Sequence, residues 1–138
     1  MIRLAVDEDL PELVRLGEGF HKQMVYNTHP FDADVFGQSM WDYMSSENFA
    51  VWIGNKALAV AMVGRHPATG RTMASEVMLY SESAGQGLKL LHKMKKWAKD
   101  MGAGELILTD QVNMRDLAAL YSRIGAQPVE RVYRVELD

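Results

Sequence analysis

The chain contains no cysteine. Disulfide frameworks, thiolate metal sites, cysteine nucleophiles and redox dithiols are thereby excluded. The roughly 18 consecutive apolar residues of a membrane-spanning helix occur nowhere, so no membrane partner is expected. The first residues, Met1-Ile2-Arg3-Leu4-Ala5-Val6-Asp7, meet an acid before any apolar core of a secretory signal can form. No signal peptide is expected, and a cytoplasmic location is the default. Charge of neither sign dominates: 15 Lys and Arg stand against 18 Asp and Glu, a net charge of −3. That balance gives no reason to expect nucleic acid as a partner.

What is present suits one folded unit. The 138 residues are 48% apolar and 24% charged, ordinary values for a globular chain, so a single domain over residues 1–138 is expected. Residues 2–6 read as a short strand. Asp7, Glu8 and Asp9, with Pro11 behind them, start a helix reaching about Gln23, whose inner face carries Leu10, Leu13, Val14, Gly17, Phe20 and Met24. Gly17 and Gly19 weaken that helix by roughly 1 kcal/mol each relative to alanine. Asp32 or Asp34 caps a second helix, with Val35, Phe36, Met40, Tyr43 and Met44 inward.

Residues 49–53 and 57–63 are β-rich runs separated by Gly54-Asn55-Lys56, a hairpin signal. Pro67-Ala68-Thr69-Gly70 turns the chain into a third run, residues 71–80, so the three form an antiparallel meander. A polar loop, residues 81–87, precedes a long helix over residues 88–101, ended by Gly102 and Gly104. Residues 105–109 read as a short buried strand. Asn113 with Asp116 resembles a capping pair for a last helix bearing Leu117, Leu120, Tyr121 and Ile124. Residues 129–137 alternate Val129, Arg131, Tyr133, Val135, Leu137 as a final strand. The order β-α-α-β-β-β-α-β-α-β defines an α/β (α+β) fold: a mixed, mainly antiparallel sheet with helices on both faces.

The stretch Ser83-Ala84-Gly85-Gln86-Gly87-Leu88 lies between a strand and a helix start. Backbone N–H groups there point outward and the helix dipole favours an anion, while glycines let a phosphate approach closely. The same glycines also suit a plain tight turn, and spacing leaves both readings open. A P-loop is excluded because no Gly-Lys-Ser/Thr follows. A dinucleotide oxidoreductase is disfavoured by Leu90 at the place of the third glycine and by the preceding meander.

Gly85-Gln86-Gly87-Leu88-Lys89-Leu90-Leu91, followed by Trp97-Ala98-Lys99-Asp100-Met101-Gly102-Ala103, resembles the acetyl-CoA motif of the GCN5-related N-acetyltransferase (GNAT) family. Leu120-Tyr121-Ser122-Arg123-Ile124-Gly125-Ala126 resembles the family's later Leu-Tyr-x-x-x-Gly-Phe motif, with Ala126 in place of phenylalanine. Glu82 stands where the family has Arg or Gln, the proline usual before the loop is missing, and Asn113 is one residue out of register.

The resemblance implies direct transfer of acetyl from acetyl-CoA to a small-molecule or peptide amine in a ternary complex. It implies coenzyme contacts from Met78, Leu79, Tyr80, Gly85, Gln86, Gly87, Leu88 and Asn113. A strand-end backbone N–H among Met78, Leu79 and Tyr80 would serve the oxyanion. Tyr121 takes the place of the family's general acid, against a reading as a core tyrosine on the Leu117, Leu120 and Ile124 face. Glu76 takes that of the general base, against a solvated strand position. Tyr26, His29 and Phe31 fall where the family builds its acceptor site. Glu82 favours an alternative, a non-catalytic GNAT-fold binding module. His21, His29 and His92 have no metal-ligand spacing, so no metal is expected. His66 reads as a turn residue, and the lysines from Lys89 to Lys99 as a solvated helix face. A homodimer is compatible with the chain.

Overall fold

The computed structural model describes residues 1–24, 29–110 and 117–137. Five strands form one sheet in sequence order: β1 (Arg3–Leu4), β2 (Phe49–Gly54), β3 (Ala57–Arg65), β4 (Thr72–Ser81) and β5 (Leu106–Ile107). The first four run antiparallel, and β5 joins β4 in parallel. Among the described residues four α-helices accompany them: α1 (Leu10–Gln23), α2 (Ala33–Met44), α3 (Gln86–Asp100) and α4 (Ala118–Ser122). The mixed α+β architecture expected from the sequence is present.

Strand alternation explains how the sheet takes helices on both faces. Ala50 and Trp52 of β2, with Ala57, Ala59 and Ala61 of β3, point to one face, where Leu90 and Met94 of α3 cover them. Val51 and Ile53 of β2, with Leu58 and Val60 of β3, point to the other, against Leu13 and Leu16 of α1 and Met40 of α2. Small side chains under α3 let the helix settle close, and the gap is closed by Trp52 and Trp97 meeting edge to face at 5.7 Å.

The β2–β3 hairpin closes over Asn55 and Lys56, with Gly54 paired to Ala57 and Lys56 at φ 53°. Asp32 is the cap of α2: its Oδ1 accepts from the backbone N–H of Asp34 and Val35, each at 3.1 Å. Val35 does not face inward as expected; it is exposed, because α2 turns only Phe36, Met40, Tyr43 and Met44 onto the sheet.

Gly17 and Gly19 also serve differently from the weak points expected. A Cβ on Gly17 would lie 2.5 Å from Phe36 Cε1, and one on Gly19 2.5 Å from the Tyr80 hydroxyl. Both positions need glycine for close approach, which outweighs the lost helix propensity.

The last expected strand is the main difference. Residues 129–137 have no strand partner among the described residues, and their apolar side chains are exposed. Alternation and β-branched residues favour an extended backbone, but a strand also needs a neighbour to receive its hydrogen bonds. The Asn113 and Asp116 capping pair lies outside the described residues.

Candidate active site

Strands β4 and β5 pair at Ala74–Leu106 and Ser75–Ile107 and then separate. At the same level the β3–β4 register shifts: Val60 faces Met78 while Ala61 faces Glu76, leaving Val77 as a bulge. A bulge bends its strand and re-aims the side chains that follow. The result is a solvent-open cleft of about 700 Å³, walled by Glu76, Val77, Leu79, Tyr80 and Ser81 of β4, Phe20 and Gln23 of α1, Gly87 of α3, and Thr109, Leu117 and Leu120.

Glu76 closes the fork. Its Oε1 accepts from the backbone N–H of Thr109 at 3.2 Å and from the Thr109 hydroxyl at 3.0 Å. The carboxylate thus binds a β5-side N–H at the point where the ladder stops. Burial in the cleft wall pushes the Glu76 pKa up, partly offset by the two Thr109 hydrogen bonds. Glu76 is therefore not a solvated strand position. A partly desolvated carboxylate facing a cleft is a stronger proton acceptor than a solvated one.

Tyr121 is buried and donates its hydroxyl proton to the carbonyl of Thr109. Burial foremost, then the charges of Glu76 and Asp110, push its pKa above the ordinary phenol value. Its hydroxyl is therefore not on the cleft wall but behind it, tying α4 to the segment after β5. Thr109 links Tyr121 on one side to Glu76 on the other.

The loop ahead of α3 is fastened to the β2–β3 hairpin. Glu82 N–H donates to the Lys56 carbonyl at 2.8 Å, and the Ser83 hydroxyl to the Asn55 carbonyl at 2.9 Å. Gly85 takes φ 81°, a left-handed conformation that suits glycine, and a Cβ there would project into open space. No side chain caps α3 and no acid lies in its first turn. Gln86 is turned inward: its Oε1 accepts from Asn55 N–H at 3.2 Å. It contributes to the scaffold rather than to the cleft.

Glu82, the charge that seemed out of place in such a loop, is directed at α1. It accepts from the Tyr80 hydroxyl at 2.9 Å and pairs with Arg15, which also holds Glu12. The Tyr80 hydrogen bond first, and then the Arg15 guanidinium, hold its carboxyl below the usual range. Gly19 makes room for the Tyr80 hydroxyl in this cluster.

The structure therefore brings Glu76, Leu79, Tyr80 and Gly87 together at one cleft. Met78 lies one step out of phase on β4 and packs with the α1–α2 core instead. Gly85 and Leu88 flank the cleft without being part of its wall. Phe31 packs at 5.5 Å from Phe36 and 5.7 Å from His21, and the His29 carbonyl accepts from His21 Nε2 at 2.8 Å. Neither lines the cleft. Tyr26 and Asn113 lie outside the described residues. Sequence reasoning missed Thr109, Gln23 and Val77 and took Phe20, Leu117 and Leu120 as core alone. Helical spacing marks an apolar face but not the part of it that overhangs a gap.

Among the described residues no group of three His, Asp or Glu side chains is placed to hold a metal ion, and no helix is long and apolar enough to cross a membrane.

Comparison with protein-family models gives no match, and comparison with curated proteins gives none. Solved structures do match. A predicted acetyltransferase with acetyl-CoA from Clostridium acetobutylicum superposes with a TM-score of 0.78 at 17% identity, over 99% of this chain and 95% of that one. A GCN5-related N-acetyltransferase from Ralstonia eutropha gives 0.73 at 17%, over 99% and 97%. A protein described as a transcriptional regulator from Bacillus halodurans gives 0.82 at 15%, over 99% of each chain. Likeness at such identities concerns the fold, and the chain has the fold of the GNAT acetyltransferases.

The hydroxyl of Tyr121 gives a direct test of its place behind the wall. Tyr121→Phe keeps the ring and removes one buried hydrogen bond, so stability should fall by about 1 kcal/mol. Turnover should stay within a few-fold of the parent. A loss of turnover beyond tenfold with an unchanged melting temperature would make Tyr121 a proton donor instead.

Proposed function

We propose that the chain is an acetyl-CoA-dependent N-acetyltransferase that passes the acetyl group directly to an amine. The observation that carries this reading is the fork between β4 and β5, with a helix N-terminus at one end of the cleft and a desolvated carboxylate at the other. When bound, the thioester supplies an activated acetyl group.

The residues present suit that substrate. The first turn of α3 offers outward N–H groups with no acid beside them, Gly85 leaves open space, and Gly87 forms part of the wall without a side chain. A backbone N–H of β4 at Leu79 or Tyr80, past the bulge and on the cleft wall, would polarise the acetyl carbonyl. A preorganised donor of this kind is worth roughly 3–4 kcal/mol in the transition state. Glu76 takes the proton of the attacking amine while Thr109 holds its carboxylate in place. The thioester C–S bond breaks as the amide C–N bond forms, and the thiolate leaves into the solvent-open cleft, where water protonates it. Tyr121 acts as a positioning residue through Thr109. With no cysteine in the chain, no thioester can form on the protein itself. Glu82, which favoured a non-catalytic module, is held by Tyr80 and Arg15 and loses that weight.

Gly87→Val tests the cradle. A Cβ at residue 87 would already touch Leu120 Cδ2 at 3.4 Å, so two further methyl groups must occupy the cleft. Acetyl-CoA binding measured by calorimetry should weaken at least tenfold, about 1.4 kcal/mol. Unchanged affinity in a variant of normal melting temperature would remove α3 from the coenzyme site.

A further inference from the structure

The cleft draws its walls from both faces of the sheet, and the two sides differ in chemistry. Leu79 packs on the α3 face, and Gly87 lies in the first turn of α3. Phe20, Val77 and Tyr80 belong to the α1–α2 face, where Gln23 joins them. On the acetyltransferase reading, on which this inference rests, the coenzyme is held at the start of α3. The α1 side of the cleft is then left for the acceptor amine.

That side is aromatic and held in shape. Phe20 and Tyr80 meet edge to face, with ring centroids 6.2 Å apart and planes at 77°. The Tyr80 hydroxyl donates to Glu82 at 2.9 Å and sits over Gly19, where a Cβ would come within 2.5 Å of it. Glu82 is itself anchored on Arg15. The tyrosine ring is thus fixed at its tip and along its edge.

Charge is nearly missing from the cleft. Among the described residues Glu76 is the only charged side chain that lines it. The charges close by are already matched, with Arg15 on Glu12 and Glu82, and Glu82 also on Tyr80. A second ammonium on the acceptor would compete with the reacting amine for Glu76. A carboxylate would meet Glu76 as a like charge, with no Lys or Arg on the described wall to offset it. Taking either charge out of water without a partner is unfavourable. An apolar wall also lowers the pKa of a bound ammonium, which favours the neutral amine that attacks.

We propose that the acceptor is a primary amine carried on an apolar, otherwise uncharged body, an arylalkyl or alkyl amine, packed against the Phe20–Tyr80 wall with its nitrogen at Glu76. Phe20 is then a residue that sets acceptor specificity.

The test compares phenethylamine with phenylalanine, which adds a carboxylate, and with putrescine, which carries a second ammonium in place of the ring. Each is supplied with acetyl-CoA, and thiol release and acetylated product are followed. The parent protein should favour phenethylamine in kcat/KM by at least about tenfold over either of the others. Phe20→Ala should raise the KM for phenethylamine about tenfold, while kcat and the Kd for acetyl-CoA stay within a few-fold. Equal or better use of phenylalanine or putrescine by the parent overturns the proposal and leaves the acetyltransferase reading standing. So does an unchanged KM for phenethylamine in a Phe20→Ala protein of normal melting temperature. Acetylation of no amine at all overturns both.

Discussion

Glu76→Gln should lower turnover by about 100-fold or more, within the range general-base catalysis supplies. The amide keeps the shape of the side chain, and its oxygen can still accept from Thr109, so the fork and its stability should change little. Binding of acetyl-CoA should stay within a few-fold, because Glu76 lies away from the α3 start proposed to hold the coenzyme. The pH profile offers a second readout. Burial raises the pKa of Glu76, and only the ionised form accepts a proton. The rate should therefore rise with pH through an acid limb above the ordinary glutamate value, and that limb should vanish in the glutamine variant. Normal turnover in Glu76→Gln would leave its contact with Thr109 as a purely structural one.

The second large effect is on folding. Gly17→Ala is favoured by helix propensity, by roughly 1 kcal/mol. It should nevertheless destabilise the protein by about 1–3 kcal/mol, because the added methyl group meets the ring of Phe36 and overpacks the α1–α2 contact. Phe36 is itself packed on Phe31, so the ring cannot swing out at no expense. Gly37→Ala is the control. Its Cβ would meet only Val14 Cγ2 at 3.6 Å, an ordinary contact, so propensity should win there and the protein should gain up to about 1 kcal/mol. Chemical denaturation of both variants decides it. A Gly17→Ala protein more stable than its parent would show that Phe36 is not held.

Those glycines illustrate what sequence alone conveys and where it stops. The β-rich runs at residues 49–53 and 57–63 and the Gly54-Asn55-Lys56 turn between them are local signals, and they specify the hairpin well. The spacing of Leu90, Leu91 and Met94 specifies α3 for the same reason. Gly17 and Gly19 read as defects because their reason lies in Phe36 and Tyr80, which are remote in sequence. Glu82 likewise reads as a misplaced charge until Arg15, 67 residues away, is beside it. The position of Glu76 on β4 was legible, but its purpose depends on a bulge at Val77 and on Thr109, which no residue spacing announces. The tail over residues 129–137 shows the opposite case. Its strand character is plain in the sequence, and what it pairs with is not.

The most direct test is thiol release from acetyl-CoA, followed in the presence of a panel of primary amines and peptides. The protein should release thiol only when an acceptor amine is present, with acetylated amine appearing in equal amount and with loss of the reaction in Glu76→Gln. Binding of acetyl-CoA with no acetylated product from any amine, or thiol release that ignores both the amine and Glu76, would contradict direct transfer at the β4–β5 fork.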